Sequence, residues 1–253
     1  MNIYLSNSFN PFENFCLENF FLEKKEADQT IFFLWINQPS LFMGRFQNPW
    51  LEVNMELVNK DKIPILRRRS GGGCVYHDQG NLNISVLSKN FKCTSMIMEI
   101  LKNLGLSQCY MGEKGDLLIE TKKFSGSAYY HHKNSFLHHC TLLFESELEI
   151  LQKYLNSPLD TLILTKAIKS RKANVANLRE YGVDMQLFIR ALQEKLRVGL
   201  YKISNPIKFV GENYWVEFNQ QFISYPWIFE RTPKFTLKNP SDQAQLIHPW
   251  QFF

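Results

Sequence analysis

The sequence predicts an α+β fold with a mixed, largely antiparallel β-sheet and flanking helices. Strand-like segments fall in clusters and do not alternate strictly with helices, which argues against a doubly wound parallel sheet. One cluster is a predicted hairpin of Asp116–Glu120 and Lys122–Ala128, and a long strand follows at Phe136–Phe144. Amphipathic helices are predicted at Thr94–Leu104 and Asp184–Val198, where apolar residues recur at helical spacing.

The N-terminal region begins with a short strand, Asn2–Leu5, and a helix whose start is marked by polar residues. Asn10 stands directly before Pro11, and proline is well tolerated at the first position of a helix. Glu13, three residues after Asn10, is typical of a capping box. The next predicted elements are the strands Ile31–Ile36 and Leu41–Gly44 and the helix Val53–Lys60.

Length and composition are those of one large domain, or of one domain with a small appendage. The 253 residues include 21 phenylalanines and are 45% hydrophobic, which suffices for a sizeable core. The five cysteines are widely spaced without a Cys-x-x-Cys pair, so we expect free thiols in a reducing compartment. No apolar run approaches the ~18 residues of a membrane span, and the N-terminus lacks the pattern of a secretory signal. We therefore expect a cytoplasmic protein, or one of the mitochondrial matrix if the source is eukaryotic.

The charge distribution indicates the kind of partner. The formal net charge is +5, and part of the excess lies in the clusters Arg67–Arg69, Lys122–Lys123 and Lys166–Lys172. Such local clusters fit an anionic ligand or an acidic partner better than a general coating of nucleic acid. Neither nucleic acid nor a membrane is therefore an expected partner.

The stretch Arg67–Ser85 has the composition of an anion-binding loop between two strands. It opens with three arginines and Ser70, and the glycines Gly71–Gly73 follow. Arginine offers forked donors to carboxylate or phosphate, and consecutive glycines let backbone N–H groups approach a ligand closely. In the strand Asn81–Leu87 apolar and polar residues alternate, so one face could line a polar pocket. The alternative is a glycine-rich hairpin turn beside a basic surface run.

A second cluster lies in the predicted strand Lys122–Ala128. Strand alternation places Lys123, Ser125 and Ser127 on one face. Lys123 therefore shares its face with two hydroxyl groups, whereas its neighbour Lys122 does not. The alternative is that Lys123 is a solvated strand lysine, the usual environment of this residue type.

Taken together, the two clusters resemble the lipoate–protein ligase A family. The matching motifs, in chain order, are Gly44-Arg45 with Gln47-Asn48-Pro49-Trp50, the run from Arg67 to Asn81, Asp116-Leu117-Leu118, the run from Lys123 to Ala128, His138-His139 with Thr141-Leu142-Leu143, and Trp227-Ile228-Phe229. These motifs are long and stand in the right order. The resemblance implies one catalytic domain over residues 1–238, with a biotin/lipoate–protein ligase-like fold, and a short C-terminal tail at 239–253.

The resemblance also implies an ATP-using enzyme. In this family the carboxylate of lipoate attacks the α-phosphate of ATP to form lipoyl-AMP, and the lipoyl group then passes to a lysine of a lipoyl domain. The implied substrates and cofactors are ATP, Mg²⁺ and lipoate or octanoate. The implied acceptors are the lipoyl domains of 2-oxoacid dehydrogenase E2 subunits and the glycine cleavage H protein.

Individual site residues follow from the family's motifs. The resemblance implies that Lys123 is the catalytic residue, a fixed cation that contacts the lipoyl carbonyl and the phosphate. Asp116 stands where the family places contacts to Mg²⁺ and phosphate. The residues implied to line the site for lipoate and its adenylate are Arg68, Ser70, Gly72, Gly73, Cys74, His77, Asn81, Ser125 and Gly126. The sequence has no Gly-x-x-x-x-Gly-Lys-Ser/Thr motif, so ATP would bind without a P-loop.

Departures from the family pattern leave other functions open. Ala173-Asn174 replaces a Ser-Arg pair of the bacterial ligases, and Arg67-Arg68-Arg69 with His138-His139-Cys140 resembles the mitochondrial lipoyltransferase branch. That branch transfers a pre-activated lipoyl group, so one alternative is a lipoyltransferase without its own adenylation step. A non-enzymatic lipoyl-group carrier is the other.

Two further groups of residues suggest other chemistry. Cys140 could carry an acyl group, as in the related octanoyltransferases, but its place in the middle of a predicted strand favours a buried structural thiol. His138 and His139 could suggest zinc, but neighbouring residues point to opposite faces of a strand.

The basic segment Lys166–Lys172 is predicted to be a mobile loop. We expect this loop to close over the acyl-adenylate and to help present the acceptor lysine, because a basic surface attracts an acidic partner. The alternative is a solvated basic loop without a partner.

Overall fold

The computed structural model describes residues 1–26, 28–89, 93–113, 115–133 and 135–239, together with Leu246. The strands are β1 (Asn2–Ser6), β2 (Ile31–Trp35), β3 (Ser40–Met43), β4 (Ile65–Arg67), β5 (Val75–His77), β6 (Asn81–Ser88), β7 (Cys109–Met111), β8 (Leu117–Ile119), β9 (Lys122–Ser125), β10 (Ser127–His132), β11 (Ser135–Leu143), β12 (Ile163–Thr165), β13 (Leu200–Ile203) and β14 (Phe235–Leu237). The helices are α1 (Pro11–Lys24), α2 (Pro49–Glu52), α3 (Met55–Lys60), α4 (Thr94–Asn103), α5 (Leu148–Tyr154), α6 (Met185–Leu196), α7 (Pro206–Val210) and α8 (Glu212–Phe222), with a 3₁₀ helix at Leu178–Tyr181 and a π-helix at Pro226–Glu230.

The chain divides into two compact units. The first comprises residues 1–38, 78–146 and 173–215, and the second comprises residues 39–77 and 147–172 with the described residues from 216 onward. The assignment of residues 1–238 to one catalytic domain stays a prediction, and most of the tail at 239–253 lies outside the described residues. Within the described ranges, each helix is too short or too polar to cross a membrane.

The first unit is built on a mixed sheet. Counted over the described residues, it has six strands in the order β10-β11-β6-β2-β1-β13. The pairs β10/β11, β11/β6 and β6/β2 are antiparallel, whereas β1 runs parallel to both β2 and β13. The predicted mixed, largely antiparallel sheet with flanking helices is confirmed.

The core of the first unit follows from the alternation in β6. Leu82, Ile84 and Val86 are fully buried and share one hydrophobic cluster with apolar residues of α4 and α6. Each such side chain contributes roughly 1.5–3 kcal/mol when it is removed from water. The two predicted amphipathic helices are thereby confirmed, and α4 ends just before Gly105, which has a φ of +100°.

The start of α1 differs in detail from the prediction. The Asn10 side chain accepts hydrogen bonds from the N–H groups of Phe12 and Glu13 at 2.9 and 3.5 Å, as expected of an N-cap. The Glu13 carboxylate instead accepts a hydrogen bond from Ser8 Oγ, and Ser8 Oγ accepts the Asn10 N–H at 3.1 Å. The predicted capping box was therefore wrong, because an upstream serine stands between its two members.

The predicted strand Lys122–Ala128 is two strands. β9 ends at Ser125 and pairs with β8, whereas β10 begins at Ser127 and pairs with β11 in the large sheet. Lys123 pairs with Leu118 and Ser125 with Leu117, so β9 has one extra residue between them, and the chain then changes sheets at Gly126. Strict alternation therefore does not relate Lys123 to Ser125 or to Ser127. The prediction of one continuous face with Ser127 was wrong for this reason.

The second unit holds the glycine-rich segment between two strands of a small sheet. β3 runs parallel to β4 on one side and antiparallel to β5 on the other. β4 ends at Arg67 and β5 begins at Val75, so the glycines lie in the connection that passes from one side of β3 to the other. A separate antiparallel pair, β12 with β14, belongs to the same unit.

Gly80 in the first unit lies against the backbone that follows β11. Its carbonyl accepts the N–H groups of Phe144 and Glu145 at 2.9 and 3.1 Å. A Cβ at Gly80 would lie 2.1 Å from the backbone carbon of Glu145. A side chain therefore fits at position 80 only if the two backbone segments move apart.

We expect Gly80→Ala to lower the free energy of unfolding by ~2 kcal/mol or more, since overpacking against backbone strains the fold. Gly199→Ala is the matched control, because no heavy atom lies within 4 Å of a Cβ at that position. Urea denaturation of both variants and the wild type measures the difference. Equal stabilities of the two variants would contradict this account of Gly80.

Candidate active site

The glycine-rich loop of the second unit is held by the buried side chain of Arg68. Its Nη2 donates to the carbonyls of Gly71 and Gly73 at 2.8 and 2.6 Å. Its Nη1 donates to the Phe42 carbonyl at 2.6 Å, and its Nε donates to Ser70 Oγ at 3.0 Å. One guanidinium therefore joins β3 to both sides of the turn at Gly72.

Gly72 and Gly44 pack backbone against backbone. Gly72 has a φ of +88°, a conformation that glycine adopts readily and other residues rarely do. A Cβ at Gly44 would lie 2.1 Å from the Gly72 carbonyl oxygen. The fold therefore requires glycine at both positions.

Ser70, Cys74 and His77 are the remaining predicted site residues in and beside this loop. All three are buried. Burial raises the pKa of the Cys74 thiol, so this group is a neutral thiol rather than a nucleophilic thiolate. The His77 ring stacks on the Phe42 ring with centroids 4.6 Å apart, which places His77 against β3.

Lys123 of the first unit forms an ion pair with Asp116. Lys123 Nζ lies 2.9 Å from Asp116 Oδ1, and the side chains are 28% and 36% exposed. A Cβ at Gly126 would lie 3.1 Å from Lys123 Nζ, so the absence of a side chain at position 126 leaves room for the ammonium group. The structure thus brings together three of the predicted site residues.

The backbone of Lys123 is fixed by the segment that follows Lys172. Lys123 N–H donates to the Asn174 carbonyl at 2.8 Å, and the Ala176 N–H donates to the Lys123 carbonyl at 3.1 Å. Position 174 therefore contributes backbone to the placement of Lys123, whatever side chain it carries.

Some buried polar atoms have no hydrogen-bond partner among the described residues. Ser125 Oγ, Ser127 Oγ and Asn81 Oδ1 are among them. The Asn81 amide nitrogen donates to Asn83 Oδ1 at 3.1 Å, so only the oxygen is left over. Unsatisfied buried polar atoms are uncommon in folded proteins and are found at sites that bind a ligand or water.

The predicted site residues divide between the two units. Arg68, Ser70, Gly72, Gly73, Cys74 and His77 belong to the second, and Asn81, Asp116, Lys123, Ser125 and Gly126 belong to the first. Their contacts with lipoate, ATP or Mg²⁺ stay predictions. None of the described residues forms a group of three His, Cys, Asp or Glu side chains suited to a metal ion.

The family model of the lipoyl protein ligase A/B catalytic domain matches residues 10–197. The match includes both the glycine-rich loop and Lys123. The chain belongs to this family.

Individual ligases show the same relationship. The chain is 34% identical over 247 residues to lipoate-protein ligase A of Psychrobacter cryohalolentis, covering 90% of this chain and 71% of the relative. It is 33% identical over 252 residues to that of Blochmanniella floridana, covering 93% and 74%. The crystal structure of P. falciparum LipL1 in complex with lipoate has a TM-score of 0.79 at 27% identity, covering 93% of this chain and 75% of that one. The predicted family and fold class are confirmed, and the chain is an enzyme of the lipoate–protein ligase type.

A buried polar cluster in the first unit of this ligase was missed in the sequence. Glu18 is 2% exposed, and its Oε1 accepts a hydrogen bond from Ser85 Oγ and lies 2.9 Å from His139 Nδ1. Trp35 Nε1 donates to the same Ser85 oxygen at 2.9 Å. The alternation of polar and apolar residues in β6 could have indicated that Ser85 is part of a polar cluster. Glu18 stands among the apolar residues of α1, and no sequence pattern indicated its role.

The two adjacent histidines of β11 face opposite ways, as predicted. His139 faces Glu18, whereas His138 Nδ1 accepts the Cys93 backbone N–H at 3.0 Å. A hydrogen bond with Cys140 and burial raise the pKa of the Cys93 thiol. Cys140 itself is a buried free thiol, like the other four cysteines, which favours the structural role predicted for it.

Arg67 is fully buried and belongs to the fold of the second unit. Its guanidinium donates to the carbonyls of Gly44, Arg45, Gln47 and Ile228 and to Thr232 Oγ1, at 2.8–3.3 Å. Burial lowers the pKa of Arg67 to about 10. Because its donors are directed to the protein itself, the expectation that Arg67 binds an anion was wrong.

We expect Arg67→Lys to lower the melting temperature by about 4 °C or more, because an ammonium group cannot reproduce the planar fork of donors. Arg69→Lys is the matched control, since the half-buried Arg69 guanidinium lies over the Phe222 ring at 5.4 Å and a lysine can retain that contact. Differential scanning calorimetry compares the two. A melting temperature of Arg67→Lys equal to that of Arg69→Lys would argue against the structural role of Arg67.

Proposed function

We propose that this ligase activates lipoate with ATP and transfers the lipoyl group to a specific lysine of lipoyl domains. Membership of the family supports the reaction class, and P. falciparum LipL1, a structural relative, was solved in complex with lipoate. The observation that carries the proposal is the partly exposed pair of Lys123 and Asp116, beside a glycine that leaves space for the ammonium group.

The proposed reaction has two steps. A carboxylate oxygen of lipoate forms a bond to the α-phosphorus of ATP, the bond from that phosphorus to the β-phosphate bridge breaks, and pyrophosphate leaves. The acceptor lysine nitrogen then bonds to the acyl carbon, the carbon–oxygen bond to AMP breaks, and the amine proton is released. Negative charge develops on phosphate and acyl oxygens in both steps, so a fixed cation lowers both barriers.

Lys123 is the proposed cation. Its backbone is hydrogen-bonded on both its N–H and carbonyl sides, so the start of its side chain is fixed before a ligand binds. Its ammonium group is partly exposed and is held by one carboxylate, which leaves further donors for lipoyl and phosphate oxygens. Ser125 Oγ and Asn81 Oδ1 are the proposed polar partners for bound substrate, in keeping with their unsatisfied state.

The glycine-rich loop is the proposed binding segment for lipoate and its adenylate. Arg68 holds the loop through carbonyl groups, so we propose that it acts mainly by fixing the backbone of Gly72 and Gly73. His77 and the Cys74 backbone are proposed to line the same segment.

Asp116 is the proposed residue for Mg²⁺. A single carboxylate fits this ion, which usually keeps several waters and binds mainly through substrate phosphates. Bound Mg²⁺ would neutralise phosphate charge and leave the protein with the task of orienting it. In the present structure the Asp116 carboxylate is paired with Lys123, so this assignment requires the pair to rearrange or to share the carboxylate.

The proposed acceptors are the lipoyl domains of 2-oxoacid dehydrogenase E2 subunits and the glycine cleavage H protein. Octanoate is proposed as an alternative acyl substrate. The expected cytoplasmic or mitochondrial-matrix location stays a prediction.

A lipoyltransferase without its own adenylation step is the second candidate, because Ala173-Asn174 departs from the Ser-Arg pair of the bacterial ligases. Release of pyrophosphate from lipoate and ATP by the purified chain alone distinguishes the two. Release supports the ligase, whereas transfer from supplied lipoyl-AMP without any release supports the transferase. A chain that does neither would correspond to the non-enzymatic lipoyl carrier.

We expect Lys123→Ala to lower the rate of lipoyl transfer by a factor on the order of 10²–10³, as removal of one transition-state donor usually does. Lys122→Ala is the matched control and should stay near the wild-type rate, because its neighbour carries the ion pair with Asp116. Mass spectrometry of a lipoyl domain follows the reaction. A larger loss in Lys122→Ala than in Lys123→Ala would refute the assignment.

We also expect the segment Lys166–Lys172 to attract the acceptor domain. Lys169 and Lys172 lie 3.4 and 3.7 Å from the Asp160 carboxylate but remain largely exposed, and Arg171 is exposed as well. Neutralising Lys169, Arg171 and Lys172 together should lower kcat/KM for the lipoyl domain and leave lipoate binding nearly unchanged.

Salt provides an independent check of this docking surface. The wild-type rate should fall between low salt and about 0.5 M, where the Debye length is only ~4 Å. The triple variant should lose most of that salt dependence. If it matches the wild-type rate in low salt, the segment is not the docking surface.

A further inference from the structure

Ser170 lies against the glycine-rich loop of the second unit. Its Oγ accepts hydrogen bonds from the Cys74 backbone N–H at 2.8 Å and from Gln47 Nε2 at 2.9 Å. A Cβ at Gly73 would come within 2.8 Å of the same oxygen. The serine hydroxyl therefore occupies the space that the missing side chain of Gly73 leaves.

Gln47 connects Ser170 to the other side of the loop. Its Oε1 accepts the Gly44 N–H at 2.9 Å, and Gly44 packs against the carbonyl of Gly72. The oxygen and the nitrogen of the Gln47 amide are thus both hydrogen-bonded. Gln47 thereby links Gly44, which packs on Gly72, to Ser170, which lies against Gly73.

Glu52 holds Ser170 in turn. Glu52 is 5% exposed, and its carboxylate accepts the Ser170 N–H with Oε1 at 3.0 Å and Oε2 at 3.1 Å. Glu52 ends α2, a short helix whose start is capped by Asn48, so the position of the carboxylate is set by local structure. Burial raises the pKa of the Glu52 carboxyl, and the hydrogen bonds from Ser170 act in the opposite direction.

We infer that Ser170 and Glu52 are positioning residues of this ligase. Glu52 fixes Ser170, and the Ser170 hydroxyl fixes the Gly73–Cys74 backbone in the conformation that binds substrate. The inference rests on the function proposed for the glycine-rich loop. Without the hydroxyl, two donors, the Cys74 N–H and the Gln47 amide, lose their acceptor, so the described loop conformation is populated less.

The kinetic test compares Ser170→Ala with Ser170→Thr, which keeps the hydroxyl. Ser170→Ala should lower kcat for lipoyl transfer by about 10- to 100-fold, with KM for the lipoyl domain little changed. Ser170→Thr should restore most of the rate. Gln152→Ala, an exposed position in the same unit, is the control and should behave as wild type. Loss of rate without rescue by threonine would overturn the role of the hydroxyl.

The second readout needs no activity. Amide hydrogen exchange at Cys74, measured by NMR, should be about tenfold faster or more in Ser170→Ala and in Glu52→Ala, and unchanged in Ser170→Thr. If Ser170→Ala fails to fold, Glu52→Gln, which keeps one acceptor oxygen, should show a smaller acceleration.

The outcomes separate the two proposals. Slow exchange at Cys74 in a folded Ser170→Ala overturns the inference, and so does fast exchange with a wild-type turnover rate. If the variants show the expected exchange at Cys74 while the wild-type chain neither releases pyrophosphate nor transfers the lipoyl group, that result overturns the proposed function instead.

Discussion

Two adjacent buried guanidinium groups fix the backbone of the second unit, and its geometry depends on them. Arg68 holds the glycine-rich loop, whereas Arg67 holds the Gly44 and Gln47 carbonyls and Ile228. Arg67 and Arg68 direct their donors to backbone carbonyls, with one hydroxyl acceptor each. A guanidinium is suited to this role because it presents five donors in a rigid plane and keeps its charge when buried. The hydrogen bonds compensate the loss of hydration, which an unpaired buried charge would not tolerate. The positive charge of the loop is therefore fixed in place before a ligand binds.

The first unit places its cation by a different principle. Lys123 is held through its backbone, by hydrogen bonds to a segment about 50 residues later, and its side chain stays partly exposed. A backbone contact does not depend on the side chain that provides it. The departure at Ala173-Asn174 is therefore compatible with the observed placement of Lys123 beside Asp116.

The fold was predictable where periodicity is strong. The alternation in β6 and the helical spacing in α4 and α6 correspond to buried faces of one core, so hydrophobic burial and local propensity agree there. Local motifs were less reliable. Glu13 matched a capping box, in which its carboxylate would accept the Asn10 N–H. Ser8 Oγ accepts that N–H instead and donates to the Glu13 carboxylate. Gly126 divided a predicted strand, because a glycine allows the chain to leave one sheet and enter another.

The sequence by itself determined the family, the fold class and the candidate residues, because long motifs and alternating patterns are properties of neighbouring positions. Only the tertiary structure decided which groups those residues contact. It buried the Arg67 side chain in the second unit, paired Lys123 with Asp116, and placed Ser170 in hydrogen-bond contact with Cys74, 96 residues away in the sequence. Hydrogen-bond partners so far apart leave no local pattern, since any polar side chain can donate or accept. Which residues pair is set by the tertiary packing of the whole chain, and no single stretch of sequence contains that information.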